Sequence, residues 1–353
     1  KGLPEMKMPI RSLNDLGWSN FFLSQLTVEE LDAQLPLRVS EVHRNAVETE
    51  GEAGALRVPN TGEMVDQGVA VGDWLLCDSQ SQRPTRILDR KSVLHRRGAG
   101  DDPSTQLIAA NIDTLFIVSS CNSDFNPSRL ERYLALALQA DVEPVLVLTK
   151  ADLCENPASY MDRAKTLLRN VSVELVNAKS AATIEQLMPW CGIGQTVALL
   201  GSSGVGKSTI TNALTGAELL TQDIREDDAK GKHTTTSRSM HAIKGGGWLI
   251  DTPGMRALRM LDVREGVDAL FEDVSELAGQ CRFNDCAHET EPGCAIQNAI
   301  ASGALDPARL DRWLKLSRED VRNSDTVAQS HKRSRKLEKT YQAGRRQGKS
   351  KRD

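Results

Sequence analysis

The chain has 353 residues and a net charge of −4, long enough for two or three domains and a sizeable core. Lys1–Ile10 holds no apolar core of signal-peptide length and no run reaches membrane-spanning length, which excludes a membrane protein and leads us to expect a cytoplasmic one. Seven cysteines, three of them clustered, argue against a disulfide framework and for reduced thiols with a metal site, while ten Lys/Arg against two acids over residues 331–353 put a basic tail on an acidic body, which fits an anionic partner such as nucleic acid.

Residues 1–34 read as an N-terminal extension, in which Trp18, Phe21, Phe22, Leu23 and Leu26 fit one amphipathic helical face. From 35 to 97 the pattern changes to short strand-like runs: Leu37–Val42, Gly54–Val58 and Val69–Leu76. Turn signals separate them (Pro59-Asn60, Thr61-Gly62, Gly72-Asp73), as in a small all-β barrel. An oligonucleotide-binding barrel is one candidate, with Trp74 either a base-stacking residue or core. Residues 98–262 form the next domain, alternating strand and helix from Gln106 onward. The strands are Ile112–Val118, Pro144–Leu148, Val171–Val176, Val197–Leu200 and Gly247–Asp251. The helices between them are Ser128–Leu138, Ser159–Leu168 and Thr183–Trp190. Such alternation predicts a parallel sheet covered by helices, with ligands at the carboxyl ends of the strands.

The stretch Gly201-Ser202-Ser203-Gly204-Val205-Gly206-Lys207-Ser208-Thr209 fits a phosphate-binding loop between a strand and a helix. Its glycines let the backbone curl until several N–H groups face one anion. Lys207 supplies charge for the β- and γ-phosphates, and Ser208 a hydroxyl for Mg²⁺. Asp251-Thr-Pro-Gly254 ends a later strand and suits a carboxylate that holds Mg²⁺ through water, followed by an N–H for the γ-phosphate. Thr149-Lys150-Ala151-Asp152 ends another strand. A carboxylate there accepts from N1–H and the 2-amine of guanine together, groups that adenine lacks. Asn177-Ala178-Lys179 ends the next strand, where a backbone N–H meets the guanine O6. The expected ligands are therefore GTP or GDP with Mg²⁺. Thr221–Ser239 is polar and suits a mobile loop; within it Thr234–Thr236 offer a further Mg²⁺ ligand, Thr235 being our choice. Ordinary small GTPases place the phosphate loop first and the base-reading tetrad last. Here the order is reversed, which a parallel sheet tolerates because the site depends on where strands end.

Cys281, Cys286, His288 and Cys294 offer three thiolates and one imidazole within fourteen residues, a closed tetrahedral set for one structural zinc. Residues 263–353 would form a helical domain around it, Pro307–Val321 carrying helical spacing.

In these motifs the chain resembles the circularly permuted, small-ribosomal-subunit-dependent GTPases of bacteria, the RsgA or YjeQ type. The likeness runs from about Leu35 onward. It includes Val71–Trp74, Ala110–Asp113, Asp124–Pro127, Arg129–Tyr133, Gly231–Thr236 and the Cys-His cluster. It implies a multi-domain α/β protein: an oligonucleotide-binding (OB-type) barrel at 35–97, a circularly permuted phosphate-loop GTPase domain at 98–262 and a zinc-binding helical domain at 263–353. It further implies stimulation by the small (30S) ribosomal subunit, a role in late maturation of that subunit, contact with 16S rRNA and action as a monomer. Met255 stands where other GTPases often carry a water-orienting Gln, and the resemblance makes His233 the candidate to position water, beside Lys207 in catalysis. Thr149 replaces the family's usual Asn, and without the amide weaker guanine binding is expected. Two rival readings remain: a phosphate-loop kinase of a metabolite, against which the Thr149–Asp152 tetrad speaks, and a zinc-dependent RNA-binding protein with structural nucleotide.

Overall fold

The computed structural model describes residues 12–60, 64, 67–97, 105–180, 182–216, 239–251 and 263–321. The chain divides into two units, residues 1–94 with 107–258 and residues 95–106 with 259–353.

The first unit opens with a 3-10 turn, Leu13–Leu16, and two short helices, α1 (Asn20–Leu23) and α2 (Val28–Ala33). The sequence predicts one helical face here, but the chain breaks twice. Gly17 adopts φ 88°, ending the first turn. Thr27 starts α2 afresh with a capping box: its hydroxyl accepts from Glu30 N (3.3 Å), and the Glu30 carboxylate accepts from Thr27 N (2.9 Å). Trp18 and Phe22 turn inward, their rings 4.8 and 5.7 Å from that of Trp74, whereas Phe21 and Leu23 stay exposed. Trp74 is 0% exposed, so the core reading of that residue holds.

Strands β1 (Gln34–Val42), β2 (Ala46–Gly51), β3 (Gly54–Pro59), β4 (Trp74–Asp78) and β5 (Pro84–Ile87) pair antiparallel in the order β3-β2-β1-β4-β5. Leu37, Val39, Val47, Val58, Leu75 and Cys77 share one core on this sheet. Strands β6 (Val93–Arg97) and β7 (Thr105–Ala110) pair as a separate ribbon.

The central sheet follows the predicted alternation. Strands β8 (Thr114–Ser120), β9 (Glu143–Thr149), β10 (Ser172–Leu175), β11 (Thr196–Gly201), β12 (Ser239–Ala242) and β13 (Trp248–Asp251) contribute to it. The order β10-β9-β8-β11-β13 is parallel throughout, and β12 runs antiparallel beside β13. Every residue of β8 is buried, as expected of a central strand covered on both faces. Helices α3 (Pro127–Gln139), α4 (Pro157–Lys165), α5 (Ala182–Leu187) and α6 (Lys207–Thr215) alternate with these strands. Asn126 and Asn156 cap α3 and α4, each with proline in the first turn, where the missing N–H is harmless. The result is a mixed α/β fold with a central, mostly parallel sheet.

Strand β12 also pairs with β1 through Glu41 and Ser239, so the antiparallel and parallel sheets form one eleven-stranded surface. Arg38 reinforces this junction. Its guanidinium, 1% exposed, donates to Asn111 O (3.1 Å), Thr196 Oγ1 (2.8 Å) and Leu16 O. Burial pushes its pKa down to about 10.

Within the second unit, residues 263–321 are helical: α7 (Arg264–Leu270), α8 (Glu272–Gly279), α9 (Ala295–Ala301) and a helix over residues 307–321, where the sequence places one. Val267, Leu270, Phe271, Val274, Ile296, Leu310 and Leu316 are buried. Arg309 ties the last helix to α8 through Asp273 (2.6 and 2.8 Å). Among the described residues no helix is long and apolar enough to cross a membrane.

Candidate nucleotide and metal sites

Parallel pairing puts the candidate nucleotide motifs among the described residues on one edge of the sheet. Gly201 registers with Val118 and Ser120 with Thr149, while Leu175 registers with Leu148 and Ala198 with Ile250. The carboxyl ends of β8, β9, β10, β11 and β13 therefore lie in a row. Phosphate loop, tetrad, Asn177–Lys179 turn and Asp251 all leave from that row. Of the predicted site residues, His233, Thr235 and Gly254 fall outside the described residues, as does the basic tail 331–353.

The phosphate loop needs glycine for two different reasons. A Cβ on Gly201 would stand 2.3 Å from Val118 O, so β8 leaves no room for a side chain. Gly206 has space but adopts φ 100° as the N-cap of α6. Lys207 opens α6, and its ammonium donates to Gly201 O (2.7 Å) and to Ser202 O. The cation is thus held over the loop, at the positive end of a helix, where phosphate oxygens are favoured. Ser203, Gly204 and Ser208 are exposed along the same loop and Thr209 is half-buried. Asp251 is exposed at the end of β13, beside Ser239 of β12.

On the base-reading side, Thr149 is 1% exposed and does more than the sequence suggests. Its hydroxyl lies 2.6 Å from Val205 O and 3.1 Å from Ser119 O. It therefore joins the tetrad to the candidate phosphate loop. Lys150 turns the chain with φ 57°, and Ala151 and Asp152 follow in a 3-10 turn with the Asp152 carboxylate exposed. Asn177 Oδ1 accepts from Lys179 N (3.1 Å), so Asn177-Ala178-Lys179 forms a tight turn beside it.

Sequence reasoning gave no role to the turn between β8 and α3. There Asp124 receives the Ser202 hydroxyl (2.9 and 3.0 Å) and pairs with Arg129 (2.8 Å). Ser202 and Asp124 are 78 residues apart, so only the fold reveals the link.

In the second unit, the ligand atoms of Cys281, Cys286, His288 and Cys294 all lie within 4.8 Å of one another. Cys281 Sγ and Cys294 Sγ are 3.9 Å apart, and each is 3.6 Å from His288 Nδ1. A tetrahedral zinc with metal–sulfur bonds of about 2.3 Å and a metal–nitrogen bond of about 2.0 Å spaces its ligands by roughly 3.5 to 3.8 Å. The four residues fit such an ion. The loop is built to hold them: Glu291 accepts from the N–H groups of Ala287, Glu289 and Thr290 (2.9 to 3.0 Å). Cys294 caps α9, its sulfur accepting from Gln297 N at 3.4 Å. Such supporting bonds orient ligands before metal arrives.

Comparison with known proteins gives a consistent picture. Residues 87–261 match the family model described as RsgA GTPase. The small ribosomal subunit biogenesis GTPase RsgA of Mesorhizobium japonicum is 51% identical over 318 residues, covering 89% of this chain and 91% of the relative. RsgA 2 of Vibrio parahaemolyticus is 48% identical over 328 residues, covering 93% and 91%. Among solved structures, YjeQ from Thermotoga maritima superposes with a TM-score of 0.61 at 24% identity, over 80% of this chain and 97% of that one. YloQ, described as a circularly permuted GTPase, gives 0.59 at 21% identity, over 81% and 94%. At these identities the two structures speak for the fold.

Proposed function

Because the chain belongs to the RsgA GTPases and is thus a GTP-hydrolysing enzyme, we propose that it binds GTP along the carboxyl edge of the central sheet and acts in late maturation of the small ribosomal subunit, which stimulates it. One observation carries the nucleotide site: phosphate loop, Thr149–Asp152, Asn177–Lys179 and Asp251 leave from one row of parallel strand ends. The ribosomal partner is supported by the names of the relatives, both small ribosomal subunit biogenesis GTPases.

In this reading Asp152 accepts from the guanine edge, the Asn177–Lys179 turn offers a backbone N–H to O6, and Gly201–Thr209 wrap the phosphates. Lys207 leaves its carbonyls for the β- and γ-phosphate oxygens and stabilises charge as it moves to the β–γ bridge while water attacks the γ-phosphorus. Ser208 and Asp251, with Thr235, would hold Mg²⁺, which supplies further charge stabilisation to the phosphates. His233 positions the attacking water, and Gly254 meets the γ-phosphate. Residues 35–97 act as an OB-type barrel, and with the basic tail they contact 16S rRNA. A structural zinc on Cys281, Cys286, His288 and Cys294 organises residues 263–353. The protein acts in the cytoplasm as a monomer, with 98–262 as its permuted G domain.

The deciding experiment is phosphate release from GTP and from ATP, with and without purified small subunits. Slow GTP hydrolysis that the subunits greatly accelerate, with ATP inert, is the expected result. Hydrolysis indifferent to the subunits would remove the ribosomal partner, and equal use of ATP would remove the assignment of Asp152.

A further inference from the structure

We infer that Asp124 is a positioning residue for the phosphate loop and that Arg129 is the cation that makes its negative charge tolerable beside bound nucleotide. The inference rests on the nucleotide site proposed above and adds two residues to it. The turn that carries Asp124 is held by its own hydrogen bonds. Asn122 Oδ1 accepts from Ser120 Oγ (2.8 Å) and Asp124 N (2.9 Å), Phe125 N donates to Asn122 O (3.0 Å), and Asn126 caps α3. From this base the carboxylate takes the Ser202 hydroxyl on both oxygens, at 2.9 and 3.0 Å. Ser202 is the second residue of the phosphate loop, and its carbonyl holds the Lys207 ammonium. Asp124 thus fixes the loop from outside at the residue that also seats the phosphate-binding lysine.

The arrangement carries an electrostatic liability. A carboxylate one hydrogen bond from a phosphate cradle repels a polyphosphate, and the repulsion grows with phosphate charge. Arg129 meets it at 2.8 Å and also donates to Asp124 O, so the pair presents little net charge to the loop. Both side chains are about a quarter exposed (27% and 28%), so the balance should respond to salt.

The test uses the intact protein, with steady-state GTP turnover, GTP and GDP affinity from a fluorescent analogue, and thermal unfolding as a fold control. Ser202→Ala and Asp124→Ala should each lower kcat about tenfold, and the double variant should be no worse than either, because both remove one bond to a charged acceptor. Arg129→Gln should weaken GTP binding about tenfold and GDP binding less, with the difference shrinking at high salt. Asp124→Asn placed on top of Arg129→Gln should restore GTP affinity to within about threefold, since it removes the unbalanced charge. A turn that is merely structural would be further loosened by that second change, not rescued. Additive effects of Ser202→Ala and Asp124→Ala, or no rescue of Arg129→Gln, overturn the inference and leave the GTPase reading intact. Wild-type protein that binds no guanine nucleotide overturns both.

Discussion

Thr149 shows how one side chain can take over a task usually given to a larger one. The resemblance leads one to expect an Asn at this position and a looser site without it, yet the threonine hydroxyl reaches Val205 O at 2.6 Å. The hydroxyl carries one hydrogen and Val205 O is the nearer of the two buried carbonyls, so removing the donor loses one buried hydrogen bond, worth roughly 1 kcal/mol. Thr149→Val should therefore weaken GDP binding about tenfold, while Thr149→Ser, which keeps the hydroxyl, should stay within about twofold. Titration with a fluorescent GDP analogue measures both, and equal affinities for the two variants would remove the bracing role. None of this was legible in the sequence, where Thr149 reads as a departure and Val205 lies 56 residues away. The tetrad stood out as a candidate only by its place at the end of an apolar strand in the same sheet as the phosphate loop, since short charged turns are common.

At the scale of elements, the strand-to-helix turn at Gly201 is a tight point of the proposed nucleotide site. A Cβ there meets a backbone oxygen of β8 at 2.3 Å, and backbone in a central strand has little freedom to yield. Gly201→Ala should cost roughly 2 kcal/mol or more in unfolding free energy and abolish nucleotide binding, whereas Gly204, with nothing near its Cβ direction, should tolerate Ala with a smaller loss set only by its φ of 75°. Denaturant unfolding of both variants checks the order. The central strands were legible because they are buried on both faces: β8, β9 and β11 are apolar runs. Strand β12 was missed because Ser239–Ala242 is four residues with one buried side chain, Met240, and reads as the end of a loop. Strand β2 alternates Val47 and Thr49 with Glu48 and Glu50, a weak signal in a charged context. The Cys-His loop was legible as ligands, but its Glu291 scaffold was not, since a carboxylate accepting three neighbouring N–H groups leaves no periodic trace. Zinc removal tests the loop: a strong chelator should lower helicity in residues 263–321, and Cys286→Ser should mimic it, while GDP binding persists. Hydrogen exchange resolved by segment gives the answer, and unchanged protection in α8 and α9 would deny a structural zinc.

For the whole molecule, the permuted order changes when its parts become available. Strand β11 lies between β8 and β13 in the sheet but is made after β8, β9 and β10. Until Thr196 has been synthesised, one flank of β8 has no neighbour, and that flank belongs to Leu115-Phe116-Ile117-Val118, all buried in the finished fold. An unpaired apolar edge of this kind templates association between chains. A fragment ending at Gln195 should therefore aggregate at concentrations where the full chain stays monodisperse by light scattering, and one ending after Asp251 should not. An ordinary GTPase, which begins with its phosphate-loop strand, has that strand in hand before its neighbours emerge. In this chain a nascent protein stalled between Gln139 and Thr196 carries a bare sheet edge for as long as translation pauses, so slow codons across that interval would be selected against.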